Sequence, residues 1–285
     1  MRLCLGPGVI GGHTPTRIEY CKTIGLSAVI ESCASIQVFA DTQRFDLASL
    51  RAFRRPFDDA GIDIIAMNTA PIFPSTLMGG TATDHAIATL TGAFEVLAAG
   101  GIPIYTTTLR IPNLPAPAAD EQFKRLTDFY ARICPIAERV GLKIATHSPW
   151  SPVTNGWMWG ATHFARLFEA VPSPANGYLY DNSILYILGD DPVEVVHRFR
   201  DRIFISHIRD VRKDPNGEGV SKTGYDEVFP GEGELDFPAM FQAFRDIGYT
   251  GGFMPEHLPR LPNDPNSNAS VAYAVGYYKA VMNQK

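Results

Sequence analysis

Eight short apolar runs, each followed by a helical pattern and recurring at intervals of roughly 30 residues, limit what this chain can fold into more than any other feature. In order they are Arg2 to Leu5, Ser27 to Glu31, Ile62 to Asn68, Ile102 to Thr107, Leu142 to His147, Tyr178 to Asp181, Ile203 to His207 and Gly252 to Glu256. Their length and β-branching suit strands buried on both faces, the condition of a parallel sheet covered by helices. The helices between them carry ordinary punctuation. Thr14-Pro15-Thr16 opens the first and Gly25 closes it, with proline just inside the start and glycine just past the end. Asp46 is placed to cap the second, which runs to Ala60. The others span Thr83 to Gly100, Asp120 to Val140, Thr162 to Ala170, Pro192 to Phe199, Phe237 to Ile247 and Ser270 to Met282. Repeated strand–helix units predict an α/β fold, a (β/α)8 TIM barrel, in a single domain over residues 1–285. A doubly wound sheet would need a glycine-rich turn after the first strand. Gly6-Pro7-Gly8 through Gly11-Gly12 lacks the GxGxxG spacing, and Pro7 withdraws one of the N–H groups such a turn offers phosphate.

Active sites of parallel barrels gather at the C-terminal ends of the strands, so the last residue of each run carries the functional information. Strands five to eight end in His147, Asp181, His207 and Glu256. Any one of these alone reads as a hydrogen-bonded polar residue at a strand end. At four successive tips, two imidazoles and two carboxylates form a donor set suited to Mn²⁺, Zn²⁺, Co²⁺ or Fe²⁺, with Mg²⁺ less natural beside two histidines. His257 follows Glu256 directly and is a candidate for substrate contact or proton transfer. The other histidines carry less weight: His163 and His197 fall inside helices, His85 in a first helical turn, and His13 just after the glycine cluster.

Composition removes several classes. A net charge of −5 gives no general attraction to nucleic acid. The cysteines, Cys4, Cys21, Cys33 and Cys134, show no zinc-type spacing and read as reduced, packed thiols. The first ten residues lack the apolar core of a signal peptide, and no apolar run is long enough for a membrane span, so a cytoplasmic protein is expected.

Around these positions the chain resembles the mannonate dehydratase family of the xylose-isomerase-like barrels. Phe129 to His147 (FYARICPIAERVGLKIATH) is similar to that family's helix four and strand five, and Val171-Pro-Ser-Pro-Ala-Asn-Gly177 to the turn before strand six. His207-Ile-Arg-Asp210 resembles its His-Phe-Arg-Asn segment, and Pro255-Glu-His257 its Pro-Asp-His. Gly79-Gly80 and the helix end Leu97-Ala-Ala-Gly100 have counterparts in the N-terminal half. The resemblance implies that His147, Asp181, His207 and Glu256 are metal ligands and that Arg209 and His257 are active-site residues. It also implies a homo-oligomer. Three departures stand out. Asp181 replaces a cysteine and Glu256 an aspartate, and the thiolate-to-carboxylate exchange hardens the site towards Mn²⁺, the expected cofactor, or Mg²⁺. The chain is shorter around Leu109 to Asp120, and strand five is followed by Trp150, Trp157 and Trp159, an unusually aromatic lip.

The activity implied is a metal-dependent dehydratase, a hydro-lyase removing water from a sugar acid such as D-mannonate to give a 2-keto-3-deoxy acid. The metal and Arg209 would hold the substrate carboxylate, the arginine through its planar fork. His257 would carry one proton, with Asp210 or Tyr225 for the other, and Trp150, Trp157 and Asn182 would contact substrate. The nearest alternative is a sugar isomerase or epimerase of the same superfamily. Those enzymes generally place a glutamate on strand five, where this chain has His147. A dehydratase for an aromatic or cyclic acid, and a non-catalytic metal-binding barrel, are further alternatives. The segment Asp210 to Asp236 is expected to be a long loop, with Tyr225, Asp226 and Glu227 able to close over substrate or to form a solvated acidic face.

Overall fold

The structure is a computed structural model and describes residues 1–7, 14–36, 46–68, 80–109, 118–149, 158–217, 219 and 223–283. His13, Trp150 and Trp157 therefore lie outside the described residues. The chain divides into two compact units, one built from Met1–Ile30, Pro56–Asp63 and Tyr180–Lys285 and the other from Glu31–Arg55 and Ile64–Leu179.

In chain order the elements are β1 (Arg2–Leu3), α1 (Thr14–Ile24), β2 (Ala28–Ser32), α2 (Leu47–Asp59), β3 (Asp63–Asn68), α3 (Thr81–Ala99), β4 (Ile104–Thr108), α4 (Ala118–Val140), β5 (Lys143–His147), α5 (Ala161–Ala170) and β6 (Asn176–Asp181). They continue with α6 (Asn182–Ile187), α7 (Pro192–Arg198), β7 (Ile203–Ile208), β8 (Asp210–Lys213), β9 (Tyr225–Val228), α8 (Phe237–Asp246), β10 (Gly252–Pro255) and α9 (Asn268–Met282). The expected alternation is present. Three elements were not foreseen: α6 directly after β6, and the β8–β9 pair, which folds part of the expected loop into an antiparallel ribbon.

The unit holding the C-terminal half is ordered β1-β10-β7, with β10 parallel to both neighbours. All six residues of β7 are buried, as its unbroken apolar run requires. Behind β10, the rings of Phe237, Phe241, Phe244, Tyr249 and Tyr278 pack mostly edge-on around one another and Phe253. That aromatic layer fixes the register, in which Met254 lies opposite His207 and Pro255 opposite Ile208. The next amide, Glu256 N–H, donates to Ile208 O at 3.2 Å, so Glu256 emerges beside the tip of β7.

In the other unit β3, β4, β5 and β6 run parallel in that order, with Ala145 opposite Gly177 and Thr146 opposite Tyr178. Helix α4 buries Leu126, Phe129, Tyr130, Ile133, Cys134 and Ala137, one stripe at helical spacing. The Tyr130 hydroxyl reaches Thr146 Oγ1 at 2.7 Å, pinning β5 one residue before His147. Gly141 ends α4 with φ +74°, a backbone that glycine adopts without a side-chain clash, and the chain turns directly into β5. All four cysteines are buried and free of disulfides, as packed thiols should be.

Candidate functional site

Three of the residues expected as ligands meet within one unit. The ligand-type atoms of Asp181, His207 and Glu256 lie within 4.8 Å of one another. A first-row cation bonds such donors at about 2.1 Å, so a span of this size closes around one ion with little movement. His207 Nδ1 lies 2.8 Å from Glu256 Oε2. The donor set fits a divalent cation: one imidazole and two carboxylates, at or just past the ends of β6, β7 and β10.

His147 ends β5 in the other unit and is buried. Its Nδ1 is 2.9 Å from the carbonyl oxygen of Ser148. A carbonyl only accepts, so Nδ1 donates here and Nε2 is the ligand-type nitrogen, the arrangement found in metal-bound histidines.

Asp181 is fully buried and does two things with its carboxylate. Oδ1 accepts from the amides of Ser183 and Ile184 at 3.0 and 3.1 Å and from the Ser183 hydroxyl at 2.8 Å, which caps α6. Oδ2 accepts from Arg209 Nη2 at 2.6 Å. Arg209 is itself buried, and its guanidinium also donates to the Ser183 hydroxyl and, through Nη1, to Glu227 Oε1 at 2.7 Å. Burial alone would lower the arginine's pKa, but the carboxylates of Asp181, Glu256 and Glu227 raise it well above its ordinary value. The fork expected to grip a substrate carboxylate is thus turned onto the protein's own acids.

Glu227 also accepts from His257 Nδ1 at 2.9 Å, through the same Oε1. His257 Nε2 stands 3.6 Å from Glu256 Oε1. Burial opposes a charge on this imidazole, yet the bond to Glu227 and the charge of Glu256 prevail and raise its pKa. Burial likewise pushes Glu256 upward, and the charges of His207, Arg209 and His257 overcome it, holding the carboxyl far below the usual range.

Several expected site residues have other work. Asn182 is fully buried, and its side chain accepts from Arg209 N–H at 3.1 Å and donates to Arg209 O at 3.0 Å, so both ends of the amide clamp the Arg209 backbone. Asp210 is buried, and its two oxygens take the amides of Val211, Gly231, Gly233 and Leu235 at 2.9 to 3.3 Å. Three of these donors belong to the 231–235 turn, which Asp210 therefore anchors. Tyr225 packs its ring edge-on against Tyr186 at 6.0 Å. Trp159, expected at the lip, is buried, stacked on His163 and edge-on to Phe164. Ser183 is the partner not singled out in the sequence, and Glu227, expected on a loop over the substrate or on a solvated face, is instead bonded to Arg209 and His257.

The Asp210 anchor yields a direct test. A Cβ on Gly233 would stand 2.2 Å from Asp210 Oδ1 and 2.6 Å from Val211 O. Gly233→Ala is expected to cost about 2–3 kcal/mol through overpacking and loss of amide donors, read as a lower urea midpoint. A midpoint unchanged within error would mean that the turn does not depend on this carboxylate.

The chain belongs to the xylose isomerase-like TIM barrel family, which it matches over residues 18–276. The barrel expected from eight strand–helix units is the fold of this family. Among curated relatives it is similar to mannonate dehydratase 1 of Halalkalibacterium halodurans, at 28% identity over 149 residues, which is 49% of this chain and 39% of that one. It is also similar to the inosose dehydratase of Lacticaseibacillus casei, at 28% over 177 residues, covering 58% of this chain and 56% of the relative. These matches span about two fifths and just over half of the relatives' lengths. Among solved structures, the mannonate dehydratase of Streptococcus suis serotype 2 superposes with a TM-score of 0.81 at 18% identity, over 99% of this chain and 92% of that one. Among the described residues no helix is long and apolar enough to cross a membrane.

Proposed function

We propose that the chain is a metal-dependent dehydratase that removes water from a polyhydroxylated carbonyl compound. The observation that carries this reading is the cluster of Asp181, His207 and Glu256 with an imidazole, His257, beside it. His147 is proposed as the fourth ligand. Its support is its buried place at the end of β5, whose register with β6 is parallel, and the bond of its Nδ1 to Ser148 O, which leaves Nε2 as the ligand-type nitrogen. With two carboxylates in the set, Mn²⁺ is the expected ion, ahead of Zn²⁺, Co²⁺, Fe²⁺ and Mg²⁺. A cation held there supplies Lewis-acid polarisation of the substrate's carbonyl oxygen.

The chain's own residues supply the rest. His257 moves the proton: it leaves the carbon next to the carbonyl, and the hydroxyl on the following carbon departs with a proton as water. Arg209 balances the charge of Asp181 and so keeps the ligand's oxygens in place. Relatives named for mannonate and for inosose dehydration share this chemistry, a proton beside a carbonyl or carboxyl carbon and a hydroxyl one carbon further on. Because Arg209 is spent on Asp181 and Glu227, a neutral ketone of the inosose type suits the site better than a sugar acid of the mannonate type, which would have to displace one of those acids. The substrate is a small molecule in either case.

The test is mass spectrometry of inosose and of D-mannonate incubated with Mn²⁺-loaded protein in D₂O. Loss of one water from inosose, abolished by His207→Ala, is the expected result. Water loss from mannonate alone would keep dehydration and overturn the neutral-substrate preference. Deuterium uptake without water loss would replace dehydration by isomerisation or epimerisation.

A further inference from the structure

We infer that Glu227 is a positioning residue of this site: from the β8–β9 ribbon it fixes the orientation and the proton-bearing nitrogen of His257 and, through the same oxygen, braces Arg209. The inference rests on reading His257 as the proton carrier, but its structural content stands on contacts alone. One carboxylate oxygen, Glu227 Oε1, receives Arg209 Nη1 at 2.7 Å and His257 Nδ1 at 2.9 Å. A carboxylate only accepts, so Nδ1 donates to Glu227, and Nε2 is the nitrogen turned to Glu256, 3.6 Å from its Oε1. The contacts run unbroken from Asp181 through Arg209 and Glu227 to His257, joining the residues that flank the ligand cluster on both sides.

The ribbon holds Glu227 in place from two directions. Glu227 pairs with Val211 across the ladder, and the neighbouring pair is Asp210 with Val228. Asp210 in turn gathers the amides of the 231–235 turn that follows the ribbon. Within the segment expected to be a long loop, the described strands β8 and β9 form a ribbon, and its Glu227 is the acid bonded to the histidine. The backbone of His257, at φ +50°, lies in the left-handed region that non-glycine residues rarely adopt.

The experiment is ¹⁵N NMR of the His257 ring in the full-length, metal-free protein, at a pH where the imidazole is neutral. The wild type should show His257 as the Nδ1–H tautomer. Glu227→Gln keeps an accepting oxygen and should keep that tautomer. Glu227→Ala should give mixed tautomers, and Glu227→Asp, whose shorter side chain cannot reach both partners, should do the same if the alanine variant fails to fold. In the dehydration assay, kcat should fall about 100-fold in Glu227→Ala and less than about tenfold in Glu227→Gln, with KM within about threefold in both. A wild-type tautomer in both the alanine and aspartate variants would overturn the inference, whatever the kinetics. The expected tautomer shift with no turnover by any form would uphold it and count instead against the dehydratase reading.

Discussion

Asp181→Ala is expected to give the largest loss of any single substitution in the site, about 4 kcal/mol of folding stability together with loss of bound metal and turnover. Three contributions converge on one carboxylate. Removing the α6 cap at Ser183 and Ile184 costs about 1 kcal/mol. Removing the partner of a buried guanidinium costs about 3–5 kcal/mol where no other acid compensates, and here Glu227 retains part of that compensation. The third contribution is the ligand itself. Asp181→Asn separates these effects, because its amide oxygen still caps α6 while the charge opposite Arg209 is gone. Its stability loss should fall between those of wild type and alanine, at about 2–3 kcal/mol. Urea melts give the stabilities, and elemental analysis of protein dialysed against Mn²⁺ gives the metal. A loss below about 1 kcal/mol for Asp181→Ala would show that the Arg209 pair is not holding the structure.

The tips were legible in the sequence because strand chemistry is local. A buried run that ends in His or Asp announces both the strand and its polar end, and the β7–β10 register then brings His207 and Glu256 together without further information. The direction of a charge is not local. Arg209 lies two residues after His207 and looked available for a substrate carboxylate, but its partners are Asp181, 28 residues earlier, and Glu227, 18 residues later. The second of these depends on a ribbon that the sequence hides. Tyr225-Asp-Glu-Val228 has no apolar alternation to mark it as a strand, and it is held by its ladder to Asp210–Lys213 instead of by a buried face. Asp210 and Asn182 carry bonds that are hidden for a related reason. Polar residues at a barrel mouth read as chemical groups, whereas three turn amides bond Asp210 and the Arg209 backbone bonds Asn182. The position of Trp159 after β5 suggests the lip, yet its indole is buried against α5.

His257→Gly should separate the needs of the fold from those of the reaction. With φ at +50°, His257 occupies backbone space that glycine enters freely, and relief of that strain contributes about 0.5–1 kcal/mol in the variant's favour. Against this stands the loss of a partly exposed imidazole and its bond to Glu227, worth about 1 kcal/mol at a solvent-touched site. The two nearly cancel, so the urea midpoint should stay close to that of the wild type. Turnover should not. Removal of a group that transfers a proton in the reaction costs about 100- to 10,000-fold, and it should appear in kcat with the metal content intact. If turnover stayed within tenfold, His257 would be a strained spectator and the proton would have to travel by another group. If instead the fold lost several kcal/mol, the ring would be a structural wedge, and the left-handed backbone would be explained by packing. A stable, metal-loaded, inactive variant is the outcome that would tie the strain at position 257 to the chemistry, because only the chemistry would then require a histidine where the backbone favours glycine.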